Sequence, residues 1–180
     1  AIWGASFVLM KDALRGQSVD DFLATRFIIA TIALIAIRPK ALAVINRQML
    51  TKGALLGLFL GSGYLFQTIG LHLTTAATTG FITGLYVVFT PILGALVLKS
   101  SVTRNEWIGV VMATLGLALL SFKGFTIGLG ELSVLLSALF FAFHILGLGR
   151  WSEKFATYPL TIVQLGTIAL LTSILAIFDN

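Results

Sequence analysis

Few side chains in this 180-residue chain have the chemistry to act on a solute, and most of them stand inside apolar runs. Residues 71–98, LHLTTAATTGFITGLYVVFTPILGALVL, hold six threonines, a tyrosine and a proline in a stretch greasy enough for lipid. On a helical wheel with Thr75 at zero, Thr79, Thr83, Tyr86 and Thr90 fall at about 40°, 80°, 20° and 60°. These five hydroxyls make one stripe. Beside it lie Gly80, Gly84, Pro91 and Gly94, and then a bulky face that includes Phe81, Leu85, Val88 and Phe89. Thr74 and Thr78 fall on the bulky side, where a hydroxyl bonds back to its own helix. Threonines can act as glue between membrane helices. Five hydroxyls in register also suit the wall of a water-accessible cavity. Pro91 removes a backbone hydrogen bond near Val87 and is expected to kink the helix.

Two ionisable groups lie at membrane depth. His144, in SALFFAFHILGLGR, is either a neutral hydrogen-bonding residue or a group that touches substrate or takes up a proton. Arg26 stands about one turn into its apolar stretch. It either snorkels toward Asp20 and Asp21 or points inward as a cation for anionic groups. Gly53, Gly57 and Gly61, spaced by four, form a packing ridge that Tyr64 and Thr68 continue, with Gln67 at its edge. Tyr64 and Gln67 suit packing or ligand contact equally. Gly109, Ala113 and Gly116 suggest packing alone. No HExxH, GxSxG, phosphate loop or pair of membrane-depth acids is present, cysteine is absent, and His72 and His144 make a poor metal pair. The sequence therefore gives no catalytic residue, metal site or cofactor to expect.

The elements that must carry these residues are apolar helices. The chain is 58% hydrophobic and 11% charged, with a mean hydropathy of +1.03. A soluble domain carries about 25% charged residues. The expected fold class is all-α, a polytopic transmembrane helix bundle. Apolar stretches fall at about 1–14, 20–38, 53–72, 75–98, 106–122, 131–149 and 158–178, roughly the 20 residues a span requires in most cases. The short first stretch and the odd number of spans suggest a piece of a longer protein. Loops after the second, fourth and sixth spans hold Arg38, Lys40, Arg47, Lys52, Lys99, Arg104, Arg150 and Lys154, against Lys11, Arg15 and Lys123 opposite. That bias places the N-terminus and those loops in the cytoplasm. It also explains the net charge of +5 without a nucleic-acid partner. All seven acids fall in loops or at helix ends, which excludes a carboxylate proton relay within this stretch.

The chain resembles the EamA-like families of the drug/metabolite transporter superfamily. The matching residues are Trp3-Gly4-Ala5-Ser6-Phe7, Arg26-Phe27, and Gly70-Leu71-His72-Leu73-Thr74-Thr75-Ala76-Ala77 running on to Phe81-Ile82-Thr83-Gly84-Leu85 and Thr90-Pro91. Trp107-Ile108-Gly109-Val110, Gly116-Leu117-Ala118-Leu119-Leu120, Gly130-Glu131-Leu132 and Ser137-Ala138-Leu139-Phe140-Phe141-Ala142 follow in order. The resemblance implies ten helices in two inverted five-helix repeats, of which about seven spans are present. Residues 1–125 would be the first repeat, its first helix truncated at the N-terminus, and 126–180 the first two helices of a truncated second. Some three helices, about 100 residues, would then lie outside the chain. An offset of 138 residues sets Ser6 opposite His144 and Arg26 opposite Gln164, with no identities along the alignment.

The resemblance further implies a secondary transporter in the bacterial plasma (inner) membrane. It would export small metabolites, amino acids or related polar compounds, by alternating access around a central cavity. The candidate cavity residues are Trp3, Ser6, Arg26, Tyr64, Gln67, Thr79, Thr83, Tyr86, Thr90, His144 and Gln164. The lipid bilayer and a small-molecule substrate are the expected partners, and the sequence leaves the oligomeric state open. The alternative is a non-transporting scaffold that binds partner helices through its glycine faces.

Overall fold

The computed structural model describes residues 2–99, 103–121 and 128–179. Its helices are α1 (Ile2–Ala13), α2 (Val19–Ile37), α3 (Arg47–Leu73), α4 (Ala76–Thr83), α5 (Tyr86–Leu98), α6 (Arg104–Ser121), α7 (Leu129–Trp151) and α8 (Thr157–Asp179). Short 3-10 turns at Pro39–Val44 and Ser152–Lys154 join α2 to α3 and α7 to α8. All seven expected stretches carry helix. Among the described residues, four segments are long and apolar enough to cross a membrane: Arg47–Leu73, Ala76–Val97, Leu129–Lys154 and Thr157–Phe178. α2 has 19 residues, but Asp20, Asp21 and Arg26 raise its charge.

Local chemistry sets the helix starts. The Ser18 hydroxyl accepts from the Asp21 N–H at 3.1 Å, and the Asn46 side chain accepts from the Met49 N–H at 2.8 Å. Thr75 does the same for Thr78 at 3.0 Å. The Glu131 carboxylate reaches back to the Gly128 N–H at 3.0 Å, and its charge favours the α7 N-terminus. Lys99 ends α5 in the left-handed region, with φ 52°.

The core is built around α3, which runs antiparallel to α7 and parallel to α8. Along α7, Gly70 meets Gly130 and Val134, Gly63 meets Phe141, and Gly147 meets Leu56. Stacked rings, Phe66 on Phe140 and Phe59 on Phe143, both at 5.7 Å, fill the same seam. Along α8, the ridge of Gly53, Gly57 and Gly61 receives Val163, Gln164 with Thr167, and Ile168. At Gly57 an added Cβ would lie 2.7 Å from the Gln164 carbonyl oxygen, a distance only glycine tolerates. α2 closes the other side of α8 in antiparallel fashion. Tyr158 donates to the Leu34 carbonyl at 2.7 Å, while Leu23 and Phe27 cluster with Ile168 and Ala169. Without a hydrophobic driving force inside lipid, such close approach of small residues is what holds helices together.

Three expectations change. The span over 75–98 is interrupted at Gly84–Leu85, and Pro91 sits inside α5 beyond that break. Around the break the backbone bonds tighten to i→i−3: Leu85 N–H to Ile82 O at 3.0 Å, Val87 to Gly84 at 3.1 Å, and Val88 to Leu85 at 2.9 Å. Three residues per turn instead of 3.6 rotates everything beyond the break. The five-hydroxyl stripe, drawn at 100° per residue, therefore divides. Second, Thr75 is a cap rather than a stripe member, and Thr74 bonds to Glu131 on α7 rather than to its own backbone. Third, Gly109 and Gly116 pack against nothing: an added Cβ at either meets no atom within 4 Å among the described residues.

Candidate substrate cavity

Gln67 enters the bundle from α3 at 3% exposure, and its amide donates to the fully buried Thr83 hydroxyl at 3.1 Å. That bond spans α3 and the last turn of α4. Above it a cavity of about 210 Å3 is lined by Leu60, Tyr64 and Gln67 from α3, and by Thr83 and Tyr86 on either side of the helix break. Phe141, His144 and Ile145 from α7 complete it. The break places both Thr83 and Tyr86 at the cavity, because α5 starts with Tyr86 just beyond the tightened turn.

Gln67, His144 and Tyr64 are each held by a neighbour. The His144 imidazole Nε2 lies 2.8 Å from the Gln164 side-chain oxygen, tying α7 to α8. Gln164 is itself buried and donates to the Leu160 carbonyl at 3.4 Å, and its backbone is seated against Gly57. The glycine ridge of α3 thus fixes α8 at the depth where Gln164 meets His144. Tyr64 makes an edge contact with Phe141, centroids 5.4 Å apart, and a tilted one with Phe27 at 5.2 Å. The Arg26 guanidinium lies 5.2 Å from the Tyr64 ring centroid and 5.4 Å from that of Phe27, and reaches the Met10 sulfur at 3.8 Å. It turns across the bundle toward α1 and α3 rather than back toward Asp20 and Asp21. No carboxylate lines the cavity among the described residues.

Of the eleven expected residues, Tyr64, Gln67, Thr83, Tyr86 and His144 converge on this cavity. Gln164 supports it through His144, and Arg26 through Tyr64. Thr79 is buried, bonds to the Thr75 carbonyl at 2.9 Å, and does not reach the lining. Thr90 bonds to the Tyr86 carbonyl at 2.6 Å and lines a second, neighbouring cavity with Pro91. Ser6 is half-buried on α1, outside the lining. The Trp3 side chain lies outside the described residues, as does Lys123.

The sequence reading missed the walls and one tie. Leu60, Phe141 and Ile145 carry no polar signal that separates them from lipid-facing neighbours. At one end of the bundle, the Lys11 ammonium donates to the Thr74 carbonyl at the C-cap of α3, and the Thr74 hydroxyl donates to Glu131. Lys11 there complements the α3 dipole, and the chain of bonds links α1, α3 and α7. The signal was available in the charge types: a lysine and a glutamate bracket a threonine at predicted helix ends on one side of the membrane.

Comparison with known proteins agrees with this architecture. Residues 1–122 match the EamA-like transporter family. A protein of Archaeoglobus fulgidus described as an uncharacterized transporter is 34% identical over 180 residues, covering 99% of this chain and 56% of its own length. The chain therefore spans little more than half of that relative. No solved structure matches. The apolar helices and the extent of the family match together make the chain part of an integral membrane protein, and it belongs to the EamA-like transporter family.

Proposed function

We propose that the protein is a secondary transporter that exports small polar metabolites, such as amino acids and related compounds, by alternating access around this cavity. One observation carries the reading. Tyr64 and Gln67 from α3, Thr83 from α4, Tyr86 from α5 and His144 from α7 meet at one cavity among otherwise apolar spans. Polar groups at membrane depth are expensive and mark solute paths. Hydroxyls, an amide and an imidazole orient a polar solute, while the rings of Tyr64 and Phe141 cover its apolar parts. The basic loops face the cytoplasm in this reading, and residues 1–125 and 126–180 belong to two inverted repeats.

The helix positions support the repeat. The offset of 138 residues carries Ala13 onto Trp151 and Val19 onto Thr157, the end of α7 and the start of α8. Equivalent helices related by an axis in the membrane plane run antiparallel, as α2 and α8 do. The His144–Gln164 pair then corresponds to Ser6 and Arg26, and Arg26 reaches Met10, one turn beyond Ser6.

The test is uptake by the full-length protein in liposomes. Saturable flux of amino acids or related compounds is expected, reduced by Tyr86→Phe and Thr83→Val. Aqueous thiol reagents should label cysteines at 83 and 86 but not at 79. Absence of flux, with none of these positions labelled, would instead favour a scaffold.

A further inference from the structure

The polar cavity is small. At about 210 Å3 it falls below the roughly 300–1,000 Å3 of most small-molecule sites. A second cavity of about 410 Å3 adjoins it between α5, α6 and α7, and the two share Tyr86 and Ile145. The lining of the second differs in kind: Val87, Pro91, Gly94, Gly109 and Val110 face it, and Thr90 has turned its hydroxyl to the Tyr86 carbonyl. A third space of about 190 Å3 shares Pro91 and Val110 with the second. It continues along α5 toward Lys99 and ends at Leu96 and Trp107, which are 73% and 51% exposed. Through their shared residues the three neighbouring spaces grade from amide, hydroxyl and imidazole to hydrocarbon, and Tyr86 lines both of the first two. Gly109 lines the apolar part, and a Cβ placed there meets no atom within 4 Å among the described residues.

We infer that the substrate is amphipathic, its polar end held by Gln67, Thr83 and His144 and its apolar chain lying past Tyr86 in the α5–α6–α7 chamber. This rests on the transport reading above and narrows its substrate class. A wholly polar solute leaves the chamber unused. A wholly apolar one makes no use of the amide, hydroxyl and imidazole that line the smaller cavity.

The test uses the full-length protein in lipid nanodiscs and two homologous series, glycine to norleucine and acetate to hexanoate. Each series fixes the polar end and lengthens the chain. If the chain enters the chamber, affinity in at least one series rises about fourfold per buried methylene. Gly109→Leu fills the chamber from a position with free space, and Thr90→Leu fills it from α5. Both should flatten the rise. Met112→Leu, on an exposed position of α6 outside the lining, should change nothing. A flat series in the wild type overturns the inference. So does a rise that neither filling variant alters, or a Gly109→Leu variant that expels co-purified lipid with the series unchanged. Those outcomes leave transport standing. If no member of either series binds and no solute is carried, the transport reading falls with it.

Discussion

Gly57→Ala and Gly109→Ala are the same chemical change in two membrane helices, and their effects should differ. Alanine is favoured over glycine in a helix interior by about 0.5–1 kcal/mol, and both sites gain that. At Gly109 no described residue opposes it, because the new methyl meets none of their atoms within 4 Å. At Gly57 the methyl would lie 2.7 Å from both the Gln164 carbonyl oxygen and the Thr167 Cβ, and 3.1 Å from the Gln164 Cα. Two of those three atoms are backbone, so no rotamer change relieves the contact and α8 must move away from α3. Overpacking of this kind costs about 1–3 kcal/mol. The variants should therefore differ by about 1–3 kcal/mol, Gly109→Ala the more stable and Gly57→Ala below wild type or level with it. Reversible unfolding in mixed micelles, followed by circular dichroism, measures the difference directly. Displacing α8 also carries Gln164 away from His144, so Gly57→Ala should weaken ligand binding while Gly109→Ala does not. Equal stabilities for the two variants would refute the assigned α3–α8 interface.

Other perturbations separate the remaining contacts. Gln67→Leu leaves the buried Thr83 hydroxyl without its donor and should cost about 0.6–1.7 kcal/mol in the same unfolding assay, the range for interhelical hydrogen bonds in membranes; Gln67→Glu should restore part of it only at a pH where the carboxyl stays protonated. Arg26→Gln removes the cation stacked on Tyr64 and should lower stability by about 0.5–1 kcal/mol, with Arg26→Lys intermediate because ammonium cannot stack as a plane. Thr74→Val breaks the link to Glu131 and should cost about 1.5–3 kcal/mol, as for a hydrogen bond to a charged group; exchange of backbone amides at the start of α7 should quicken while those near His144 keep their rates.

Helix existence was legible because apolar runs of span length have one stable form in lipid, where every backbone group must bond internally. Pairing was legible only where glycine marked it. The Gly53–Gly57–Gly61 ridge announced a close neighbour, yet its identity as α8 required tertiary geometry. Gly109 and Gly116 carry the same signal, and no described residue approaches either, since a small residue permits close approach without naming a partner. The hydroxyl stripe of 75–98 was half right for a similar reason. Periodicity assumes uninterrupted winding, and a single tightened turn at Gly84–Leu85 sent Thr83 and Tyr86 to one cavity and Thr90 to the next. Among the ionisable residues, His144 lines the cavity and pairs with Gln164. The direction of Arg26 depended on Tyr64, 38 positions away in sequence, which no local pattern reveals.

The two buried amides also bear on how the chain enters the bilayer. Gln67 bonds to Thr83 across a sequence separation of 16, and His144 bonds to Gln164 across 20. In each case the partner belongs to the next span synthesised, so a helical hairpin leaving the insertion machinery already contains both halves of the bond. Neither amide has to face hydrocarbon while distant helices are still to arrive. The long-range seams, α2 on α8 and α3 on α7, close later and are built from glycine, aromatic and aliphatic surfaces that lipid solvates well in the interim. The residues assigned to the solute are thus self-sufficient during insertion, and only the packing waits for the whole bundle.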